Sequence, residues 1–414
     1  MKTIAVIAAY DTKAAEADFL IRKIEERGCH TLLVDVSTWP GYRSQKGIVR
    51  EMVVQAGGVS WDEIKGCPKN ELLDYMTKGA TALLKGLYSE GKIQGVIAIG
   101  GLQNTIMGAT AMQALPIGVP KFVVSTVATG NRTFEFITGT KDITVMPSVV
   151  DFAGVNSVSR TILENAAAAI TGMVHEGGGE LRKEDGITIA TTLMGATNDG
   201  VVNAAAALME QGYEVMSFHS TGIGGKTMEE LILAGYIDAV MDLTLHEVVY
   251  EYFGGGFGAG ANNRICAAVQ KGIPMVICPA GIDFICLPKG EDFPDFEKRQ
   301  KIWHNSILYH LKLFPEEARN ISRIIVQRIN QTKGPAAVVF PLKGLRSFTR
   351  EGEALYNPKV DEAILQVFQT EMRTDIPLFT IDANFMDESF SQLAADTMMA
   401  LLKESKGGKE CTKI

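Results

Sequence analysis

The sequence predicts an α/β protein built as two Rossmann-like, doubly wound parallel-sheet lobes with a cleft between them. Three observations lead there. Short β-branched runs alternate with longer helix-patterned stretches along nearly the whole chain, the order that builds βαβ units. Those runs are almost continuously apolar, as strands covered on both faces must be. The chain also repeats a pattern: the segment from Thr3 and the segment from Thr188 each read strand, polar turn, helix, glycine, strand, and GVPKFVVS from Gly118 is answered by GIPMVICP from Gly272.

The expected strands of the first lobe are Thr3–Ala9, Thr31–Val36, Gly95–Ile99 and Phe122–Thr126. Those of the second are Ile187–Thr192, Tyr213–Phe218, Ala239–Leu243, Met275–Cys278, Ala336–Phe340 and Leu378–Ile381. Helical periodicity marks Ala14–Arg27, Glu71–Tyr88, Val158–Val174, Val201–Gln211, Pro315–Gln331, Asp361–Met372 and Glu388–Glu404. The polar, glycine-rich stretch His175–Gly186 marks the boundary, giving lobes of residues 1–180 and 181–414. The unequal offsets of the two repeat pairs place about 31 extra residues within Trp39–Lys92.

Composition excludes several classes. With 414 residues, 40 Lys+Arg against 48 Asp+Glu and a net charge of −8, the chain is unsuited to binding nucleic acid by neutralising phosphates. No apolar run approaches the ~18 residues of a membrane span. The apolar start is followed at once by Asp11 and Lys13, so it reads as a strand rather than a signal peptide. Six cysteines without CxxC spacing point to free thiols in a reducing compartment, and a cytoplasmic location is expected.

Ligands of open parallel sheets bind beyond the carboxyl ends of strands, where helix N-termini offer free N–H groups. The first strand ends in Tyr10-Asp11-Thr12-Lys13, where Asp11 and Thr12 suit helix capping and Lys13 adds a cation. The second ends in Asp35-Val36-Ser37-Thr38, without a preceding GxGxxG. Gly100-Gly101 follow the third strand, and Ser125–Asn131 is hydroxyl-rich. In the second lobe Gly195-Ala196-Thr197-Asn198 repeats the first turn, and His219-Ser220-Thr221-Gly222-Ile223-Gly224-Gly225-Lys226-Thr227 forms a cradle for phosphate or carboxylate oxygens. It is not a Walker A loop, which needs glycine where Ser220 stands. Arg264, after the glycine-rich run 254–260, is a candidate anion clamp. His219, His246 and His304, with Asp242, Glu247 or Asp283, are the types a zinc or manganese site takes, but no HExxH spacing supports one.

Taken together, these residues resemble the Tm-1-like ATP-binding family, that of the amino-terminal domain of the tomato mosaic virus resistance protein and its bacterial relatives. The resemblance runs over nearly the whole chain through Asp11-Thr12-Lys13, His219-x-Thr221-Gly222-x-Gly224-Gly225, Asp242-Leu243-Thr244 with Glu247, Arg264, His304-Asn305 and Pro341-Leu342-Lys343-Gly344. It implies a two-lobed, dimeric protein holding ATP and Mg²⁺ in the interlobe region. It makes Asp11, Thr12, Lys13, Ser37, Gly100, Gly101, Gly195, Thr221, Gly222, Gly224 and Gly225 nucleotide-site candidates. The loop Gly258–Asn263 departs from the family pattern.

Three functions compete at this level. A nucleotide-binding protein, either an ATP-dependent enzyme or a regulator, would hold phosphates with Lys13 and the 220–227 cradle while Asp242 or Glu247 carried Mg²⁺ through water. An enzyme on a small carboxylate or phosphorylated metabolite would grip the anion with Arg264 and move protons with His219, His246, Glu247 or His304. The third is an interaction module without chemistry.

Overall fold

A computed structural model describes residues 1–43, 45–128 and 135–410. Residues 129–131 of the hydroxyl-rich turn and Cys411 lie outside the described residues. The chain divides into two compact units, Met1–Arg182 and Lys183–Ile414, each described by itself.

The first unit runs β1 (Thr3–Ala8), α1 (Tyr10–Glu25), β2 (His30–Asp35), α2 (Arg50–Ala56), α3 (Trp61–Ile64), α4 (Lys69–Ser89), β3 (Gly95–Gly100), α5 (Leu102–Gln113), β4 (Lys121–Ser125), α6 (Glu135–Thr138), β5 (Thr144–Pro147) and α7 (Ser157–Glu176). All its strand pairs are parallel, in the order β2-β1-β3-β4-β5. Ile4, Val6, Ile97, Phe122 and Val124 pack on one face with Leu20, Ile24 and Leu163. Ala5, Ile7, Val96, Ala98 and Val123 pack on the other with Val53, Met76, Leu84 and Met112. This two-sided burial explains why the strands read as unbroken apolar runs.

The second unit continues with β6 (Thr188–Leu193), α8 (Asn198–Met209), β7 (Glu214–His219), α9 (Ile223–Ala234), β8 (Ala239–Thr244), α10 (Glu247–Phe253), α11 (Cys266–Lys271) and β9 (Met275–Ala280). It then runs β10 (Phe284–Pro288), β11 (Lys301–Trp303), β12 (Leu308–Lys312), α12 (Pro315–Ile329), β13 (Ala336–Pro341), α13 (Pro358–Glu371), β14 (Leu378–Ile381) and α14 (Glu388–Glu410). Its main sheet has the order β14-β13-β9-β8-β6-β7. Read from the second strand of each unit, both sheets therefore begin with the same order, and β4 corresponds to β9 as the Gly118 and Gly272 motifs imply. The additional residues of the first unit are α2, α3 and the long α4, where the second has only α9 between β7 and β8.

Three features differ from the expected elements, the first being β5, a fifth strand beside β4 that was not expected. Residues 284–312 form a three-stranded antiparallel sheet, β10-β12-β11, which a search for apolar parallel strands passes over. Helix α1 begins at Tyr10 with Ala9 at its N-cap, so Asp11 and Thr12 lie inside its first turn rather than capping it.

The inserted helices pack through a glycine. A Cβ at Gly79 of α4 would lie 2.3 Å from the Val53 carbonyl of α2. Gly79→Ala is therefore expected to push α2 off α4 and to cost about 1–3 kcal/mol, read as a lower urea midpoint at unchanged m-value.

Candidate functional site

In the first unit a pocket of about 630 Å³ opens at the carboxyl ends of β1 and β3. These are the strands between which the winding reverses, since β2 lies to one side of β1 and β4 beyond β3. That is where open α/β sheets receive ligands. Asp11, Thr12, Lys13 and Gly101 line it, together with Trp39, Lys65, Lys69 and Asn104.

The walls are held by hydrogen bonds that start at Asp35, the fully buried last residue of β2. Its Oδ1 accepts from the N–H groups of Tyr10 (3.2 Å) and Ser37 (3.0 Å) and from the Ser37 hydroxyl. Ser37 Oγ in turn accepts from Asp11 N–H (2.9 Å), and Asp11 Oδ2 accepts from Trp39 N–H (3.1 Å). Asp35 and Ser37 thus fasten the loop after β2 to the start of α1. Arg50, 2% exposed, donates to the carbonyls of Trp39 (2.6 Å) and Tyr42 and lies over the Trp61 ring. The Lys13 ammonium donates to the Phe152 carbonyl.

The opposite wall is the start of α5. Its N-cap is Gly101, which supplies no side-chain cap, and Thr105 N–H takes the Gly101 carbonyl at 2.9 Å. The N–H groups of Leu102, Gln103 and Asn104 have no partner among the described residues, and all three residues line the pocket. Gly100 sits behind at φ +151°, where a Cβ would fall 2.5 Å from Asn104 Cβ. Only glycine makes that bend without strain.

In the second unit the turn after β7, the counterpart of β2, is filled from within. The 220–227 turn was expected to be a cradle open to ligands, with Glu247 a magnesium ligand and Arg264 a ligand clamp. Instead these residues satisfy one another. Glu247 Oε1 accepts from the N–H groups of Gly222 (3.2 Å) and Gly225 (3.0 Å), and Oε2 accepts from Ser220 Oγ (2.6 Å) and from Arg264. Arg264 also donates to both oxygens of Asp242, at 2.5 and 2.6 Å. Arg264, Asp242 and Glu247 are all buried, and they are paired because a lone buried charge is too costly. Glu229, likewise buried, accepts from the N–H groups of Ile265 and Ala267, both at 2.6 Å.

The histidines proposed for proton transfer lie near one another: His246 and His304 end a single row of rings, joined through Phe284 and His310, whose centroids are 4.7 Å apart. His219 is exposed and pairs through Nδ1 with Thr221 Oγ1 at 2.9 Å. His246 is fully buried, donates from Nδ1 to the Gly281 carbonyl (2.6 Å) and stacks on Phe284 at 4.3 Å. Burial holds its imidazolium down, to about 4. His304 is exposed and stacked on His310. Gly195 opens a 3₁₀ turn, and Gly224 lies in the first turn of α9. Among the described residues no three His, Cys, Asp or Glu side chains meet as a metal-holding group. Nor is any described helix long and apolar enough to cross a membrane. The five described cysteines are free thiols, with Cys29, Cys278 and Cys286 buried.

Two family profiles match this chain. "Uncharacterised protein family (UPF0261) N-terminal domain" matches residues 2–178, and the corresponding "C-terminal domain" matches residues 187–402. The chain belongs to the UPF0261 family. A UPF0261 protein of Clostridium tetani (strain Massachusetts / E88) is 36% identical over 97% of this chain and 100% of its own length. The tomato (Solanum lycopersicum) proteins "ToMV susceptible protein tm-1(GCR26)" and "ToMV resistance protein Tm-1(GCR237)" are each 31% identical. They match 83% and 80% of this chain, which spans 46% and 44% of their respective lengths. Among solved structures, a putative UDP-N-acetylglucosamine 2-epimerase from Listeria monocytogenes matches 67% of this chain and 79% of its own, at 11% identity and a TM-score of 0.23.

In this UPF0261 chain, sequence reasoning missed Trp39, Arg50, Lys65 and Lys69. The three last lie in the additional helical segment, where nothing in the repeat pattern marks them; an exposed tryptophan beside Pro40 was the one available signal. Two predictions follow from the second unit's buried groups. Arg264→Leu leaves two buried carboxylates without their cation, so unfolding measurements should show a loss of about 3–5 kcal/mol, partly recovered when Asp242→Asn and Glu247→Gln are added. Between the ordinary histidine value of 6.5 and about 4, the unfolded chain takes up a proton that buried His246 refuses. Stability must therefore fall with falling pH by up to about 1.4 kcal/mol per pH unit from this group. Urea unfolding of His246→Gln across that window should show a shallower slope than the parent chain.

Proposed function

We propose that the first unit binds the phosphates of a nucleotide, ATP with Mg²⁺, in the pocket between β1 and β3. The observation that carries this reading is the uncapped start of α5. Three adjacent N–H groups without partners among the described residues face a 630 Å³ pocket, and a helix N-terminus presented in this way attracts anionic oxygens. Charge supports it: Lys13, Lys65 and Lys69 line the pocket with Asp11 as its carboxylate, Lys65 sharing its charge with Asp62 at 2.7 Å and Lys13 donating to the Phe152 carbonyl, in a chain of net charge −8. The volume lies within the range of small-ligand sites. Trp39, 63% exposed at the rim, offers a flat face for a base. Magnesium needs only one or two protein carboxylates beside phosphate and water, and Asp11 is the lining residue of that kind. The resemblance to Tm-1-like ATP-binding proteins favours the same ligand. Asp242 and Glu247 have no part in this reading, since Arg264 holds both.

Isothermal titration of the full chain with ATP and Mg²⁺ should show saturable binding below about 1 mM, and quenching of tryptophan fluorescence should be lost in Trp39→Phe. Lys13→Ala and Lys69→Ala should each weaken binding by about tenfold. An absence of heat at millimolar nucleotide, or an unchanged isotherm in the double lysine variant, would refute the assignment.

A further inference from the structure

A second cavity, of about 330 Å³, opens at the carboxyl ends of β13 and β14 in the second unit. None of the residues singled out above as candidate site residues lines it. Phe340, Leu342 and Leu365 give it an apolar wall, Tyr356 an aromatic one, and Glu351, Asp361 and Glu362 face it with carboxyl groups.

The charges at this cavity are unevenly committed. Both lining cations are occupied: Lys343 donates to Asp382 at 2.8 Å and Arg350 to Asp387 at 2.6 Å. Glu351 and Glu362 have no ion-pair partner among the described residues. Asp361 is the deepest group, its side chain 12% exposed. Its Oδ1 is closed to solvent, receives no hydrogen bond and has only the Lys312 ammonium 3.7 Å away, so any contact from the cavity falls to Oδ2. That ammonium is itself bound to Asp283 at 2.8 Å, which also takes the Arg346 Nε–H. Although burial opposes it, Arg346 and Lys312 hold Asp283 ionised well below the usual carboxylate range. Asp361 lacks such support, and burial pushes its carboxyl up to about 6. The cavity thus presents carboxyl groups and aromatic carbon with no uncommitted cation.

We propose that this cavity is a binding site for a small organic ammonium ion, with Asp361 and Glu362 meeting the charge and Tyr356 and Phe340 packing against its carbon. Such a cation gains attraction from the aromatic faces as well as from the carboxylates. An anion would meet Lys343 and Arg350 only with their charges already shared with Asp382 and Asp387. The site is independent of the nucleotide pocket, and the two assignments fail separately.

Benzylammonium is a suitable probe, followed by saturation-transfer NMR on the full chain with benzoate and benzyl alcohol as controls. The expected result is millimolar binding of benzylammonium, about tenfold tighter than either control. Asp361→Asn and Tyr356→Leu should each weaken it by about tenfold, with folding checked by circular dichroism and melting. If Asp361→Asn does not fold, Tyr356→Leu and Glu362→Gln, which lie on the solvent side of the buried charges, provide the test. Equal or tighter binding of benzoate, affinity unchanged in the folded variants, or no saturation at tens of millimolar probe would each overturn the proposal.

Discussion

The N–H groups that open a helix have no partner within it, and much of this protein follows from how each unit meets that requirement. In the second unit the chain supplies its own anion. Glu247 reaches the amides of Gly222 and Gly225 at the start of α9 and is held there by Ser220 and Arg264. In the first unit α5 begins with Gly101, which has no side chain to offer. Its leading amides instead face a pocket lined by three lysines. At the strand ends, the turn after β7 is thus sealed by an internal carboxylate, while the turn after β3, at a different place in the strand order, is left open.

Filling an edge internally has consequences for its neighbours. Once Glu247 is buried it needs a buried cation, and Arg264 serves both it and Asp242. A second buried set, Asp283 with Lys312 and Arg346, lies along the same unit. Such pairs add little net stability but tolerate the loss of a partner badly. They fix the turns after β8 and β9 in one arrangement. The first unit's open edge is held more lightly, by Asp35, Ser37 and Arg50 acting mainly on backbone groups.

Much of the architecture was legible beforehand because burial on both faces of a parallel sheet leaves a simple trace, the unbroken apolar run. The repeat pattern located the additional helices between β2 and β3 for the same reason, since strands keep their character while the segments between them vary. The antiparallel β10-β12-β11 sheet left no such trace. Its strands are short and carry Lys301, His310 and Lys312, residues that a search for apolar strands discards. Arg264 shows the harder limit: an arginine after a glycine-rich loop reads equally well as a ligand clamp or as the counter-ion of a buried acid. Only the positions of Asp242 and Glu247, 22 and 17 residues away in sequence, separate the two.

The amino-acid order alone settled the α/β class, the alternation of elements and the list of polar turns where chemistry belongs, because these depend on local propensity and on periodic burial. It also brought Asp11, Thr12, Lys13 and Gly101 to notice as residues at strand ends. Which turn keeps free amides, and which is filled by a carboxylate from elsewhere in the chain, was decided by tertiary contacts. The physical reason is that hydrogen-bond satisfaction belongs to the folded surroundings of a group: Gly101 and Gly222 are alike as glycines at helix starts, and only the chain packed against each determines whether its neighbouring N–H groups already have an acceptor.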